Sequence, residues 1–260
     1  MTGKLAHKTA ILTGAGSGIG AAIARAFAQE GATLVLNDID QDSLIRLKAD
    51  LPDRDHRLVV GDVSVAATAS ALAREADAVA QRADILVNNA GILHCRDITE
   101  TQEDEFDRVV AVNIKSMYQV CRAVLPMMVA RGEGAIVNVG SLAGMVGMEF
   151  GGESTWLYST TKAAIFQFTR SLASRYGKDG IRVNTLAPGA TRTNQLRQLH
   201  PNISAEAEDQ MWRDTGGRLT LLGRVADPGE IARVALFLAS SDASYITGQH
   251  ILADGGYAVR

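Results

Sequence analysis

Cysteine is scarce in this chain: Cys95 and Cys121 are the only two, far apart and in no CxxC pair. That excludes a disulfide framework or a dithiol redox motif, and free thiols in a reducing compartment are expected. The histidines at 7, 56, 94, 200 and 250 never reach a metal-ligand spacing, so no metal site is expected. No block of Lys or Arg stands out and the net charge is −3, which removes the electrostatic case for a nucleic-acid partner. Long apolar runs are missing too. The best of them, residues 109–130, carries Asn113, Lys115, Gln119 and Arg122, so no membrane span is expected. The opening stretch MTGKLAHKTAIL has neither a signal-peptide core nor a small-residue cleavage site, and a cytoplasmic location is expected.

What is present is the composition of a globular domain, 47% hydrophobic and 21% charged over 260 residues. Short runs of Val, Ile and Leu at 9–12, 33–37, 57–60, 84–87, 135–139, 181–186 and 250–253 read as strands. Alanine-rich amphipathic stretches such as 21–30, 66–81 and 103–130 read as helices between them. Uninterrupted apolar strands alternating with helices predict a parallel sheet covered on both faces. Right-handed crossovers then give a doubly wound, Rossmann-like α/β sheet of about seven strands. No linker breaks the alternation, so a single domain over 1–260 is expected.

Such sheets bind ligands at the carboxyl ends of their strands. Polar residues and glycines collect there: TGAGSGIG (13–20), Asp38, Asp62, NNAG (88–91), Gly140 with Ser141, and Pro188 with Gly189. In TGAGSGIG, one glycine register uses Gly16, Gly18 and Ala21, another Gly14, Gly18 and Gly20, and the stretch alone does not choose. Either lets the backbone approach a pyrophosphate at the N-terminus of a helix opening near Ile19. Asp38 stands where a carboxylate accepts hydrogen bonds from the adenosine ribose hydroxyls of NAD and repels the 2′-phosphate of NADP. Positions 15, 17, 39 and 40 offer no compensating base, so NAD is the expected cofactor. Asp40 suits the N-cap of a helix starting near Gln41. In YSTTK, Tyr158 and Lys162 are four apart and share one helical face, where a cation favours the phenolate. Ser141, at the end of the fifth strand, would reach the same edge.

With these residues in place the chain resembles the short-chain dehydrogenase/reductase family over nearly its whole length. TGAGSGIG is similar to that family's TGxxxGxG turn, which selects Gly14, Gly18 and Gly20, with Ser17 and Ile19 beside the cofactor. Asp62 and Val63 are similar to the pair at the adenine. NNAG supplies Asn89, Ala90 and Gly91, and PGATRT supplies Pro188, Gly189, Thr191 and Thr193 beside the nicotinamide. Asn113, Ser141, Tyr158 and Lys162 match the family's tetrad. The resemblance implies hydride transfer between NAD and a secondary alcohol or ketone. Tyr158 would be the acid/base and Lys162 would lower its pKa and hold the nicotinamide ribose. Ser141 would orient the substrate oxygen, and Asn113 would extend a proton path through its backbone and a water. It also implies a homotetramer pairing the helices at 103–130 and 158–177, with a second interface at DGGY (254–257).

One departure bears on the substrate. LAGMVGMEFGGESTWL, between Ser141 and Tyr158, is longer than the family's usual spacing and must bulge beside the site. It carries Met145, Met148, Phe150 and Trp156, with Gly144, Gly147, Gly151 and Gly152 as hinges. A second variable segment, 194–217, adds Met211 and Trp212 in the place of a substrate lid. Together they point to an apolar pocket for a cyclic or bulky secondary alcohol, although each could equally anchor a loop. His94 is a further pocket residue or an exposed loop histidine. A non-catalytic NAD(H) sensor would be expected to lose the Tyr or the Lys, and an extended-branch epimerase needs more chain after Pro188. An acyl-carrier-protein ketoreductase is the nearest enzymatic rival. Asp38 argues against its NADPH, while Arg131 and Arg175 remain as bases for an acidic carrier.

Overall fold

The computed structural model describes residues 3–150, 152–194 and 202–259. In chain order the strands are β1 (Thr9–Thr13), β2 (Thr33–Asp38), β3 (Arg57–Val60), β4 (Ile85–Asn88), β5 (Gly134–Val139), β6 (Glu149–Phe150), β7 (Glu153–Ser154), β8 (Ile181–Pro188) and β9 (His250–Ala253). The helices are α1 (Gly18–Gln29), α2 (Gln41–Ala49), α3 (Ala66–Ala80), α4 (Glu103–Val110), α5 (Ser116–Arg131), α6 (Trp156–Tyr176), α7 (Ala205–Leu219) and α8 (Pro228–Ala239). Seven strands form one parallel sheet in the order β3-β2-β1-β4-β5-β8-β9. The chain order reverses between β1 and β4, and a crevice opens there at the carboxyl ends.

Alternation along β1 divides the core. Leu12 packs with Ile23, Phe27 and Ile231 under α1 and α8, while Ile11 packs with Leu72, Val120 and Val124 under α3 and α5. Both faces are therefore apolar, which is why the strands read as unbroken hydrophobic runs. The seven predicted strands are all present, with boundaries shifted by at most two residues.

Two elements differ from expectation. The single helix expected at 103–130 is interrupted by a π turn, Ala111–Lys115, which separates α4 from α5. Apolar periodicity does not register one extra residue in a turn, and such turns recur at functional sites. The long segment after Ser141 folds its extra length into the β6–β7 hairpin, with Glu149 opposite Ser154. Thr155 pins its base by donating to the Met148 carbonyl at 2.6 Å. The hinge proposed at Gly151 lies outside the described residues, as do residues 195–201 of the second variable segment. Among the described residues no helix is long and apolar enough to cross a membrane.

Candidate active site

At the switch point Gly14 turns the chain with φ +61°, and a Cβ on it would stand 2.9 Å from Ala90 Cα. A Cβ on Gly20 would run into the Gly14 carbonyl and stand 2.6 Å from Asn89 Nδ2. The register of Gly14, Gly18 and Gly20 thus meets a steric demand at both ends. Asn89 clamps this turn: its Nδ2 donates to the carbonyls of Thr13 at 3.1 Å and Gly14 at 2.8 Å. The N–H groups of Asn89 and Ala90 both donate to Thr13 Oγ1. NNAG therefore locks the glycine turn as well as lining the crevice.

Asp38 ends β2, and its Oδ2 accepts from Gly16 N–H at 2.8 Å. Asp40 caps α2 by accepting from Ser43 N–H, the role foreseen for it, so Asp38 is left at the crevice. Asp62 accepts from the N–H and hydroxyl of Ser64 and from Arg108. Burial pushes this carboxyl up, but the Ser64 and Arg108 hydrogen bonds outweigh it and hold it below the usual range. Val63 beside it is buried. Arg108 lines the same crevice as Asp38 but is engaged by Asp62. The sequence carried no signal of it, because its partner lies far away in the chain.

Tyr158 and Lys162 sit on the first turns of α6, facing Ser141 at the end of β5. Ser141 Oγ accepts from Ala143 N–H at 3.1 Å, and the hydroxyl stands close enough to the Tyr158 phenol to pull its pKa down. Lys162 is buried, and Nζ donates to the Val139 carbonyl at 3.0 Å. Burial brings its pKa down to about 8. Burial likewise pushes the Tyr158 phenol above its ordinary 10, with the Ser141 hydroxyl pulling the other way. The expected net lowering of the phenol by Lys162 is therefore not what this arrangement gives: desolvation dominates. Asn113 lies in the π turn, and its amide is wholly engaged by protein. Oδ1 accepts from Ile92 N–H at 2.8 Å, while Nδ2 donates to the Ile92 carbonyl and to Thr161 Oγ1, both at 3.0 Å.

One cavity of about 810 Å³ is lined by Asp38, Asp62, Val63, Ser17, Gly18, Ile19, Gly91, Pro188, Gly189, Thr191, Thr193, Ser141, Tyr158 and Lys162, and Asn113 is not among its lining residues. Its far end holds Met148, Phe150, Met211 and Trp212. Trp156 and His94 are not among the lining residues. Trp156 stacks on Phe106 and donates Nε1 to Thr101 Oγ1 at 3.3 Å, so it anchors α6 to the segment before α4. His94 turns toward Glu105, with Nε2 3.9 Å from Oε2, and Met145 is exposed. The glycine cradle, the carboxylate at one end and a buried ammonium with one protein acceptor among the described residues fit a nicotinamide dinucleotide.

The family described as Enoyl-(Acyl carrier protein) reductase matches residues 14–258. This chain is a member of the short-chain dehydrogenase/reductase family. It is 40% identical over 256 residues to oxidoreductase UcpA of Escherichia coli O157:H7, covering 98% of this chain and 95% of that protein. It is 42% identical over 250 residues to galactitol 2-dehydrogenase (L-tagatose-forming) of Cereibacter sphaeroides, covering 96% and 94%. The crystal structure of levodione reductase superposes with a TM-score of 0.87 at 33% identity, covering 98% of this chain and 99% of that one. The chain is accordingly an oxidoreductase of this family with a Rossmann-like fold.

Proposed function

We propose that this oxidoreductase uses NAD and exchanges a hydride with a secondary alcohol or its ketone, of a cyclic or bulky apolar kind. The observation that carries the reading is the convergence of Ser141, Tyr158 and Lys162 in one cavity, between Asp38 at one end and Met148, Phe150, Met211 and Trp212 at the other. A nicotinamide dinucleotide held there would supply the hydride acceptor or donor. Asp38 would hold the ribose hydroxyls, Lys162 would hold the nicotinamide ribose, and Gly14, Gly18 and Gly20 would admit the pyrophosphate to the α1 N-terminus.

In the oxidative direction the alcohol loses a hydride from carbon and a proton from oxygen, and Tyr158 takes the proton. Ser141 hydrogen-bonds the substrate oxygen and fixes which of its faces meets Tyr158. Lys162 supplies the positive charge that makes a buried phenolate attainable. Asn113 would extend the proton path from Lys162 through its backbone and a water, while its amide is held by Ile92 and Thr161.

The test is NADH formation with linear, alicyclic and steroid-sized secondary alcohols, with Tyr158→Phe as control. Turnover on bulky alcohols that is lost in the control and weak with NADP is expected. Tyr158→Phe retaining turnover overturns the reading. Assembly belongs to the same proposal. Tyr118 and Val129 stand 48% and 38% exposed on α5, beside a cavity of about 400 Å³ lined by Leu125, Phe168 and Tyr176. A second copy covering this face accords with a homotetramer, and a monomer in sedimentation analysis would refute that part.

A further inference from the structure

Thr161 lies inside YSTTK and has no part in the mechanism above. It is 3% exposed, and its hydroxyl is used twice. It donates to the Tyr158 carbonyl at 2.8 Å and accepts from Asn113 Nδ2 at 3.0 Å. The Asn113 amide is in turn paired with both backbone groups of Ile92. One hydroxyl therefore ties together the Tyr158 turn of α6, the π turn between α4 and α5, and the backbone that follows NNAG.

These three segments close on a narrow gap. A Cβ on Gly91 would stand 3.2 Å from Lys162 Nζ and 3.3 Å from Asn113 Oδ1, so the ammonium and the amide share the space over one glycine. A Thr hydroxyl bonded only to a carbonyl of its own helix contributes little to stability and often bends the helix. The second bond, to Asn113, converts this local contact into a cross-brace between two helices.

We infer that Thr161 is a positioning residue, whose hydroxyl sets where Tyr158 and Lys162 stand relative to Asn113 and the end of β4. The inference rests on the oxidoreductase reading proposed above. Without the hydroxyl one N–H of a buried amide loses its partner, and the catalytic turn of α6 is no longer braced to the π turn. Small displacements of reacting groups cost rate far more than they cost binding.

Thr161→Val keeps the volume and removes the hydroxyl, and Thr161→Ser keeps the hydroxyl. Val is expected to lower kcat about ten- to a hundredfold. NADH affinity, read by fluorescence titration, and KM are expected to change by about twofold or less. The alkaline limb of the rate profile should move with Val and return with Ser. Val turning over like the parent, or Ser falling as far as Val, overturns the inference. Should Val fail to fold, Thr161→Ala takes its place, and parental kcat in Ala overturns it equally. Tyr158→Phe run in parallel separates the two claims: its retained turnover sinks the oxidoreductase mechanism, whereas retained turnover in Val alone sinks only the role of Thr161.

Discussion

Lys162 Nζ stands 5.6 Å from the centre of the Tyr158 ring and donates to the carbonyl of Val139, at the end of β5. The cation therefore lies within reach of the ring face while its hydrogen bond goes to the strand end. Lys162 is buried and Tyr158 partly so, and burial disfavours the charged form of each.

That arrangement makes Lys162 costly to the apoprotein. An unfolded lysine keeps its ordinary 10.5, whereas the folded one is at about 8, so folding opposes protonation. The cost is complete below the folded value and fades as pH climbs from about 8 toward 10.5, because the unfolded chain holds the extra proton in that window. Lys162→Met should therefore be inactive yet more stable near neutral pH, by roughly 1–3 kcal/mol. Thermal unfolding checks this, with the gap expected to narrow at alkaline pH. A variant less stable than the parent near pH 7 would show that the Val139 bond outweighs the desolvation.

The phenol carries the matching prediction for rate. Tyr158 is held above its ordinary 10 by burial, against the pull of Ser141. Alcohol oxidation needs the phenolate, so its kcat/KM should rise with pH through the alkaline range, while ketone reduction, which needs the phenol, should not. Ser141→Ala removes the hydroxyl that pulls the phenol's pKa down and should push the rise to still higher pH. A pH-independent oxidation rate would remove Tyr158 from the rate-limiting proton transfer.

Two glycines at the site separate folding from catalysis. A Cβ on Gly20 meets the Gly14 carbonyl, which is backbone, so Gly20→Ala should cost about 3 kcal/mol or more. A Cβ on Gly91 meets only the ends of Lys162 and Asn113, which can yield by a few tenths of an ångström. Gly91→Ala should fold with near-parental stability and lose rate instead. Measuring Tm and kcat on both variants decides, and equal loss of stability in the two would contradict the distinction.

The contrast also marks what the sequence could reveal. The seven strands of the parallel sheet followed from apolar runs, because both faces of this sheet are covered and nothing interrupts the pattern, whereas the short β6–β7 hairpin carried no such run. The glycine turn, Asp38, Ser141, Tyr158 and Lys162 were legible because each sits at a strand end or on one helical face, where short-range geometry suffices. For Trp156 and His94 the sequence left a pocket role and a loop role open, since a side chain's direction at a loop end depends on partners such as Phe106 and Glu105 that spacing does not disclose. The Asp62–Arg108 pair and the π turn around Asn113 escaped for the same reason. Desolvation of the Tyr158–Lys162 pair is also a property of packing, and the pair's spacing shows only the attraction.

Asp38 should decide the cofactor. Its carboxylate is held at the crevice by Gly16 N–H, and Arg108, the base nearby in the lining, is bound to Asp62. Asp38→Ser removes the charge that repels a 2′-phosphate and one ribose acceptor, so the preference for NAD over NADP in kcat/KM should fall roughly tenfold or more. An unchanged ratio would mean that Asp38 does not meet the ribose.

Met148 and Trp156 flank the same hairpin and should behave oppositely. Met148 lines the far end of the cavity, while its carbonyl, held by Thr155, fixes the hairpin base through the backbone. Met148→Ala leaves that bond in place and removes apolar surface from the pocket, so KM for a bulky alcohol should rise with little change in Tm. Trp156 is turned the other way, stacked on Phe106 with its indole N–H on Thr101. Trp156→Leu loses both contacts and should lower stability by about 1–3 kcal/mol while KM stays near the parental value. Steady-state kinetics and thermal unfolding on the two variants separate pocket from anchor, and a KM effect from Trp156→Leu at unchanged stability would reverse the assignment.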